Sequence, residues 1–487
     1  MKKLENILNN IIVLQHIGSI NVSIKNIAFD SREVTENTLF VAQKGSVVDG
    51  HKFIDNAIKL GAKVIVCENL PTNLDENITY IQVEDSNKAL AHIASNFYQN
   101  PSSKLKLIGV TGTNGKTTIA TLLYNLFKKV GYKVGLLSTV KVLINNEAYK
   151  ATHTTPNSIA INNYLNEMVN ADVDYCFMEV SSHGIHQKRI EGLYFEGGIF
   201  TNLTHDHLDY HNSFKEYRDV KKAFFDNLPK TAFALVNSDD KNGKFMVQNT
   251  KAKVHTYALK TLADFKAKIL ENEFSGLLLN INNAELWVKL VGSFNAYNIL
   301  AVYGTAQLLG LEKTETLTYI SELNNVSGRF EYVVSKSNKI AVVDYAHTPD
   351  ALKNVLETVN DIKKNDKKII TVVGCGGDRD KAKRPVMGRI ASQLSNQVVF
   401  TSDNPRTENP ETILKEIENG VSKENNHKIL TIENRKQAIK TAVKIAKSGD
   451  VILIAGKGHE TYQEINGVRT HFDDMEEVTN AFKTLED

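Results

Sequence analysis

Along this 487-residue chain, short apolar runs rich in Val, Ile and Leu alternate with longer stretches in which apolar positions return every three or four residues. The first pattern suits strands buried on both faces and the second suits amphipathic helices. Their alternation predicts largely parallel sheets covered by helices. In the first hundred residues Leu90, Ile93, Ala94 and Phe97 make a helical stripe that stops near Asn100-Pro101-Ser102-Ser103, a linker-like run. Beyond it, strands are expected at 105–110, 134–140, 173–180, 198–203 and 233–237. A β-rich patch at 277–291 then precedes a helical stretch beginning near Asn295. After Gly328-Arg329 the alternation resumes, with strands near 340–344, 369–374, 398–401, 429–432 and 451–455.

Composition narrows the class without naming a ligand. Hydrophobic residues make up 42% of the chain, ample for sizeable cores, and the length suits roughly three domains. A formal net charge of only +2 gives no field for nucleic acid or an acidic membrane surface, so neither is expected as a partner. Cys67, Cys176 and Cys375 sit in or beside apolar runs without metal-type spacing, which suits a reducing compartment. The N-terminus lacks a continuous apolar core and no run approaches membrane-spanning length. A soluble, cytoplasmic protein is expected.

The sharpest chemical signal runs Gly109-Val-Thr-Gly-Thr-Asn-Gly-Lys-Thr-Thr118, directly after an apolar run. A strand entering a glycine-rich turn that opens a helix presents backbone N–H groups and a helix N-terminus to phosphate. Lys116 adds charge and Thr117 can hold Mg²⁺. The strict spacing would need glycine at position 110, where valine stands, so this is a shorter variant. Glu179 ends an apolar strand in the same unit and is placed as a Mg²⁺ ligand. The segment 204–211 packs three histidines and two aspartates. It invites comparison with dinuclear zinc hydrolases, but Tyr210 displaces the last histidine from that spacing; a solvated loop, or one histidine lent to a Mg²⁺ site, are the other readings. Lys221 and Lys222 read by default as a solvated helix face. In the third unit, polar clusters follow four strands: 344–347, 376–379, 403–406 and 456–460. Open α/β sheets bind ligands at that edge, so a shared site is expected there.

Taken in order, these motifs resemble the Mur ligases, ATP-dependent amide-forming enzymes of peptidoglycan synthesis, and among them the diaminopimelate-adding members. The match runs from Asp30-Ser-Arg32 through Gly112–Thr118, His153-Thr-Thr155 and Glu179-Val-Ser-Ser-His183. It continues through Asn295-Ala-Tyr-Asn298, Gly328-Arg329, Asp344-Tyr-Ala-His347 and Asp403-Asn-Pro-Arg406 to Gly456–Glu460. The resemblance implies a small N-terminal α/β domain (1–100), a central phosphate-loop ATPase-like domain with a largely parallel sheet (101–328) and a Rossmann-like C-terminal α/β domain (329–487). It implies ATP held by Gly112, Thr113, Asn114, Gly115, Lys116, Thr117, Thr118, Asn295 and Asn298, with Arg329 and Asp344 reaching it from the C-terminal domain. Ser31, Thr154, Thr155, Ser181, Gln187 and Arg189 would hold UDP-N-acetylmuramoyl-L-Ala-D-Glu. Thr117, Glu179, His207 and a carbamylated Lys221 would hold Mg²⁺, with Lys116, Glu179, His207 and Lys221 the catalytic set. Arg379, Asp403, Asn404, Pro405, Arg406, Gly456 and Glu460 would form a meso-diaminopimelate pocket.

The implied reaction phosphorylates the D-Glu carboxylate with ATP, then lets the amino-acid amine displace phosphate, in a monomer. An Arg406 guanidinium suits the second carboxylate by which diaminopimelate differs from lysine. The alternatives are the same reaction with L-lysine, another ligase of this fold such as a folylpolyglutamate synthase or the D-Ala-D-Ala-adding ligase, and a nucleotide-gated binding protein.

Overall fold

Strand Lys106–Thr111, enclosed by apolar neighbours on both faces, lies inside an eleven-stranded sheet and delivers the glycine-rich turn at its C-terminal end. The computed structural model describes residues 1–486 apart from 46–47, 152, 205 and 207–209. The order across this sheet places Tyr175–Glu179 on one side of the strand and Gly197–Phe200 on the other, both parallel to it. The chain first places Val134–Leu137 two positions out on one side and then fills the gap with Tyr175–Glu179. It then returns to build on the other, so the turn sits at a topological switch point, where open sheets bind ligands.

The sheet is less purely parallel than the pattern implied. It is parallel from Val134–Leu137 across to Phe265–Glu273, but antiparallel strands close both ends. The cause is local turn chemistry. Asn282 and Asn283 both take positive φ (45° and 68°), the primed turn that joins Gly276–Ile281 to Ala284–Val288 as a hairpin. The strand expected at 134–140 stops at Leu137, because the Thr139 N–H donates to the Glu179 carboxylate (2.8 Å) rather than to a ladder.

Helix Lys116–Val130 follows the turn, burying Ile119, Leu122, Leu123, Leu126 and Phe127 at helical spacing and ending at Gly131 with φ 107°. Helix Ser293–Leu308 packs against it and is apolar almost all round, so it is buried rather than amphipathic.

A five-stranded sheet precedes this unit, parallel except for its edge strand Val13–Ile17, with helix Ser86–Phe97 on one face. A six-stranded sheet follows it, in the order Glu331–Val334, Ile340–Asp344, Val451–Ala455, Ile369–Val373, Gln397–Phe400, Ile429–Thr431, antiparallel only at its first strand. This order brings the four polar clusters onto one edge, with 456–460 seated between 344–347 and 376–379. Tyr462–Ile465 and Val468–His471 form a small separate hairpin, turned by Asn466 and Gly467 with φ 49° and 78°.

Beneath that edge, Arg435 and Asp474 are fully enclosed. Arg435 Nε and Nη2 each donate to the Asp474 carboxylate at 2.7 Å, and Nη2 also reaches the Ala455 carbonyl at 3.1 Å. The pair ties helices Arg435–Ile445 and Asp474–Glu486 to the end of a central strand. Asp474→Ala strands a buried guanidinium and should lower stability by about 3–5 kcal/mol in urea unfolding, whereas Arg435→Met with Asp474→Leu should cost clearly less.

Candidate active site

Two glycines set the loop. Gly112 has φ 147°, and a Cβ there would stand 1.9 Å from Thr201 Oγ1; Gly115 has φ 88° and would meet Asn298 Oδ1 at 2.7 Å. Side chains are thereby excluded from the places where the backbone turns. Asn202 Oδ1 accepts from Asn114 N (2.9 Å), Thr113 Oγ1 meets the Tyr217 hydroxyl at 3.0 Å, and Asn298 donates to Asn295 Oδ1 at 2.9 Å. The loop is therefore held from the neighbouring strand end and from helix Phe214–Asp226, while Asn298 of helix Ser293–Leu308 packs against Gly115. Thr117 and Thr118 lie buried in the first turn of the helix.

Two lysines converge on one backbone oxygen. Lys116 Nζ donates to the Gly112 carbonyl at 2.9 Å and to Thr113 O at 2.7 Å, and Lys221 Nζ donates to the same Gly112 carbonyl at 2.9 Å. The expectation of a solvated helix face fails here. Lys221 is 1% exposed, and Lys222 is also buried, paired with Asp226 at 2.6 Å. Burial, then Lys116, pushes Lys221 well below the ordinary lysine range, with Asp206 opposing. Burial also lowers Lys116, against the pull of Glu179 and Asp206.

Opposite the lysines, Glu179 is wholly buried at the end of its strand. Its Oε2 accepts from Thr117 Oγ1 at 3.0 Å and its carboxylate takes two hydrogen bonds from Thr139. Arg329 Nη2 crosses from the third sheet's unit to donate to Thr117 Oγ1 at 3.0 Å, while its buried Nε has no partner among the described residues. Glu179 and Thr117 offer the oxygen donors that Mg²⁺ favours. His207, expected beside them, lies outside the described residues, as do His205 and Asp209 of the same segment. Among the described residues no group of three His, Cys, Asp or Glu side chains is gathered as for a metal.

Thr154, Thr155, Ser181, Gln187 and Arg189 are brought together beside Glu179. Thr155 Oγ1 donates to the Glu179 carbonyl (2.9 Å) and accepts from Ser181 N (2.9 Å), and Thr154 accepts from Thr139 Oγ1 (3.1 Å). Arg189 donates to Thr155 O at 2.6 Å and grips Gln187 Oε1 with two N–H groups. Ser31 stands apart in the first unit, buried, with Asn56 Nδ2 donating to it at 3.3 Å.

Arg329 lies over the Tyr345 ring at 4.7 Å, and that ring packs on His459 at 4.8 Å, which leads to the third sheet's edge. Asp344 accepts from Phe330 N (2.7 Å), and burial pushes its carboxyl up to about 6. The Asp403 carboxylate turns inward rather than toward the cleft, and Gly456 makes room for it: a Cβ there would meet Asp403 Oδ2 at 2.6 Å. Asn404 Nδ2 donates to Glu460 Oε2 at 2.8 Å, and the Asn404 carbonyl accepts from Gly377 N at 2.9 Å. Pro405 is buried, with its carbonyl against Gly377. Arg406 takes φ 53°, donates from Nη1 to Gly377 O at 2.6 Å, and is stitched by backbone hydrogen bonds to Glu464 and Asn466 of the small hairpin. Arg379 is exposed, bonded only locally to Asp378 O at 3.3 Å.

Sequence reasoning passed over several members of this arrangement. Thr139 carried no signal, since its role depends on a strand end folding back. Tyr217 and Asp206 face the lysines, and Lys457 lies fully buried among Asp403, Asn404 and Glu460. The hairpin holding Arg406 did carry a signal, the Asn466-Gly467 pair.

The chain matches three family models: Mur ligase family, catalytic domain, over residues 23–98; Mur ligase middle domain over 110–306; and Mur ligase, glutamate ligase domain, over 328–458. A UDP-N-acetylmuramoyl-L-alanyl-D-glutamate–2,6-diaminopimelate ligase of Phocaeicola vulgatus is 54% identical over 480 residues, covering 99% of each chain. One of the same name from Cytophaga hutchinsonii is 55% identical over 469 residues, covering 96% of each. A solved structure of a ligase of that name superposes with a TM-score of 0.70 at 30% identity, over 100% of this chain and 99% of that one. A MurF ligase from Thermotoga maritima in complex with ADP shares the fold, with a TM-score of 0.62 at 21% identity over 94% of this chain and 97% of that one.

His347 supplies a pH test. Burial, then Lys383, pushes its imidazole down to about 4, against about 6.5 in an unfolded chain. Between those values the unfolded state binds the extra proton, so stability contributed above pH ~6.5 is lost as pH falls toward 4. The urea midpoint should therefore fall across that window, and less steeply in His347→Gln.

Proposed function

The chain belongs to the Mur ligase family, and on that premise we propose that it joins meso-diaminopimelate to the D-Glu side-chain carboxylate of UDP-N-acetylmuramoyl-L-Ala-D-Glu, with ATP converted to ADP and phosphate. The observation that carries this reading is the pairing of a loop built for a polyanion with a separate edge site centred on Arg406, Asn404 and Glu460. We assign residues 1–100 to a domain holding the uridine end through Ser31, 101–328 to the ATP-binding domain, and 329–487 to the amino-acid domain.

In this account the phosphate loop, Lys116 and the helix N-terminus take the ATP phosphates, with Asn295, Asn298, Arg329 and Asp344 around the nucleotide. The carboxylate of the dipeptide, held by Thr154, Thr155, Ser181, Gln187 and Arg189, attacks the γ-phosphorus. Both partners are anionic, so positive charge must offset their repulsion. Thr117 and Glu179 would hold Mg²⁺, joined by His207; the ion supplies charge neutralisation at the phosphates. Lys221 suits carbamylation because its burial favours the neutral amine, the form able to add to carbon dioxide with loss of a proton. The carbamate would place an anion beside Lys116, able to join Thr117, Glu179 and His207 in holding the ion.

The acyl phosphate then meets the amine of the amino acid: a C–N bond forms, phosphate leaves, and the amine loses a proton. Arg406 faces the distal carboxylate, and Glu460 the distal ammonium. Lysine lacks that carboxylate and would leave the Arg406 guanidinium without an anionic partner, and sites built around such a pair reject the analogue by roughly 10⁴-fold. No helix among the described residues is long and apolar enough to cross a membrane; we place the enzyme in the cytoplasm as a monomer.

Phosphate release from ATP and the UDP-dipeptide, with diaminopimelate and L-lysine in parallel, tests the reading. Release with diaminopimelate alone is expected, and Arg406→Ala should abolish most of it while ADP binding stays intact. Release with lysine alone, or undiminished diaminopimelate use in the variant, contradicts the pocket; silence with both amino acids contradicts the reaction.

A further inference from the structure

Lys457 follows strand Val451–Ala455, and its side chain is fully enclosed. A lysine is rarely buried unless its ammonium is partnered. Here Nζ donates to Asn404 Oδ1 at 3.0 Å and to Glu460 Oε2 at 3.3 Å, and stands 3.8 Å from Asp403 Oδ1. Asn404 is consequently locked: its Oδ1 also accepts from Glu464 N at 3.0 Å, and its Nδ2 donates to Glu460 Oε2 at 2.8 Å. Among the described residues the hydrogen bonds to the Glu460 carboxylate fall on Oε2, leaving Oε1 for a ligand.

We propose that Lys457 is the positioning residue of the amino-acid pocket, an internal cation that holds Glu460 ionised and turned so that its second oxygen meets the distal ammonium of the amino acid. The proposal rests on the ligase reading above. Its logic is electrostatic. Asp403 and Glu460 are two partly or wholly buried carboxylates in one small volume, and each disfavours ionisation of the other. Burial first, and Asp403 second, push Glu460 upward, with Lys457 opposing. Remove the ammonium, and burial and the Asp403 charge are left to push Glu460 toward its protonated form, while Arg435 still holds Asp403 ionised. A protonated Glu460 has lost the charge that attracts an ammonium. Lys457 also fixes the approach of Asn404 to the 456–460 loop, and so the position of Arg406 two residues on. One buried cation thus sets both the anionic and the cationic contact for an amino acid whose far end carries both charges.

Kinetics with each substrate varied in turn provide the test, starting with the wild-type enzyme. Lys457→Met should raise the KM for diaminopimelate by about tenfold or more, the scale expected when one member of a buried charge network is removed. The KM values for ATP and the UDP-dipeptide should stay within about twofold, and Lys457→Arg, which keeps the charge, should recover most of the loss. A purely structural role would move all three constants together or resist that rescue, and either result overturns the proposal.

The pH profile is the second readout. Glu460 is faced by Asp403, Lys457, Arg435, Tyr345, Tyr462 and Arg469, and the Met variant removes only one of these charges. Its KM for diaminopimelate should fall as pH rises and Glu460 ionises, a trend weaker in the wild type. If Lys457→Met does not fold, Lys457→Gln takes its place; a wild-type KM and pH profile in that variant overturns the proposal. A wild-type enzyme that does not use diaminopimelate removes the ligase reading first, before any variant is compared, and the proposal falls with it.

Discussion

The Gly112 carbonyl accepts hydrogen bonds from two lysines at once, and the rest of the site is organised around that crowding. Two ammonium groups on one oxygen would repel each other, and burial denies them water as a screen, which is why the charged form of Lys221 is disfavoured. Burial lowers Lys221 steeply, while Glu179 and Asp206 keep part of the balance. In the proposed function a polyanion entering the loop meets the remaining charge of Lys116. The fold provides the framework for this: glycine at the two turning points, a helix N-terminus behind them, and hydrogen bonds to the loop from the neighbouring strand end and from helix Phe214–Asp226.

A continuous line of contacts joins this loop to the edge of the third sheet. Arg329 touches Thr117 with its guanidinium and covers Tyr345 with the same plane, and Tyr345 packs on His459. Gly328 makes the approach possible, since a Cβ there would stand 2.1 Å from His459 N. The junction between the central and third units is therefore pressed against the loop that carries Lys457 and Glu460. In the proposed function this adjacency suits a reactive acyl phosphate that must meet an amine before it meets water.

Much of this was legible in the residues. The glycine-rich turn announced itself because backbone pressed against a strand end at positive φ favours glycine, and the four clusters of the third unit were legible because a parallel sheet delivers its loops to one edge. The strands 233–237, 340–344 and 451–455 fell where their apolar runs lie. Lys221 was not legible from its own surroundings: a Lys-Lys pair on a helix looks solvated, and only the tertiary position of helix Phe214–Asp226 beneath the loop buries it. Lys457 was hidden for the same reason, and the inward turn of Asp403 follows from Gly456, whose missing side chain is a space rather than a signal. The Asn466-Gly467 hairpin was readable, yet its importance lies in the backbone of Arg406, which no local pattern reports.

The central claim is that the carboxylate of one substrate is phosphorylated at the loop and released to an amine at the sheet edge. Labelling both oxygens of the D-Glu side-chain carboxylate with ¹⁸O tests this directly. The account predicts that the inorganic phosphate released with diaminopimelate carries one ¹⁸O atom, the oxygen that bridged carbon and phosphorus. Turnover that releases unlabelled phosphate would contradict it.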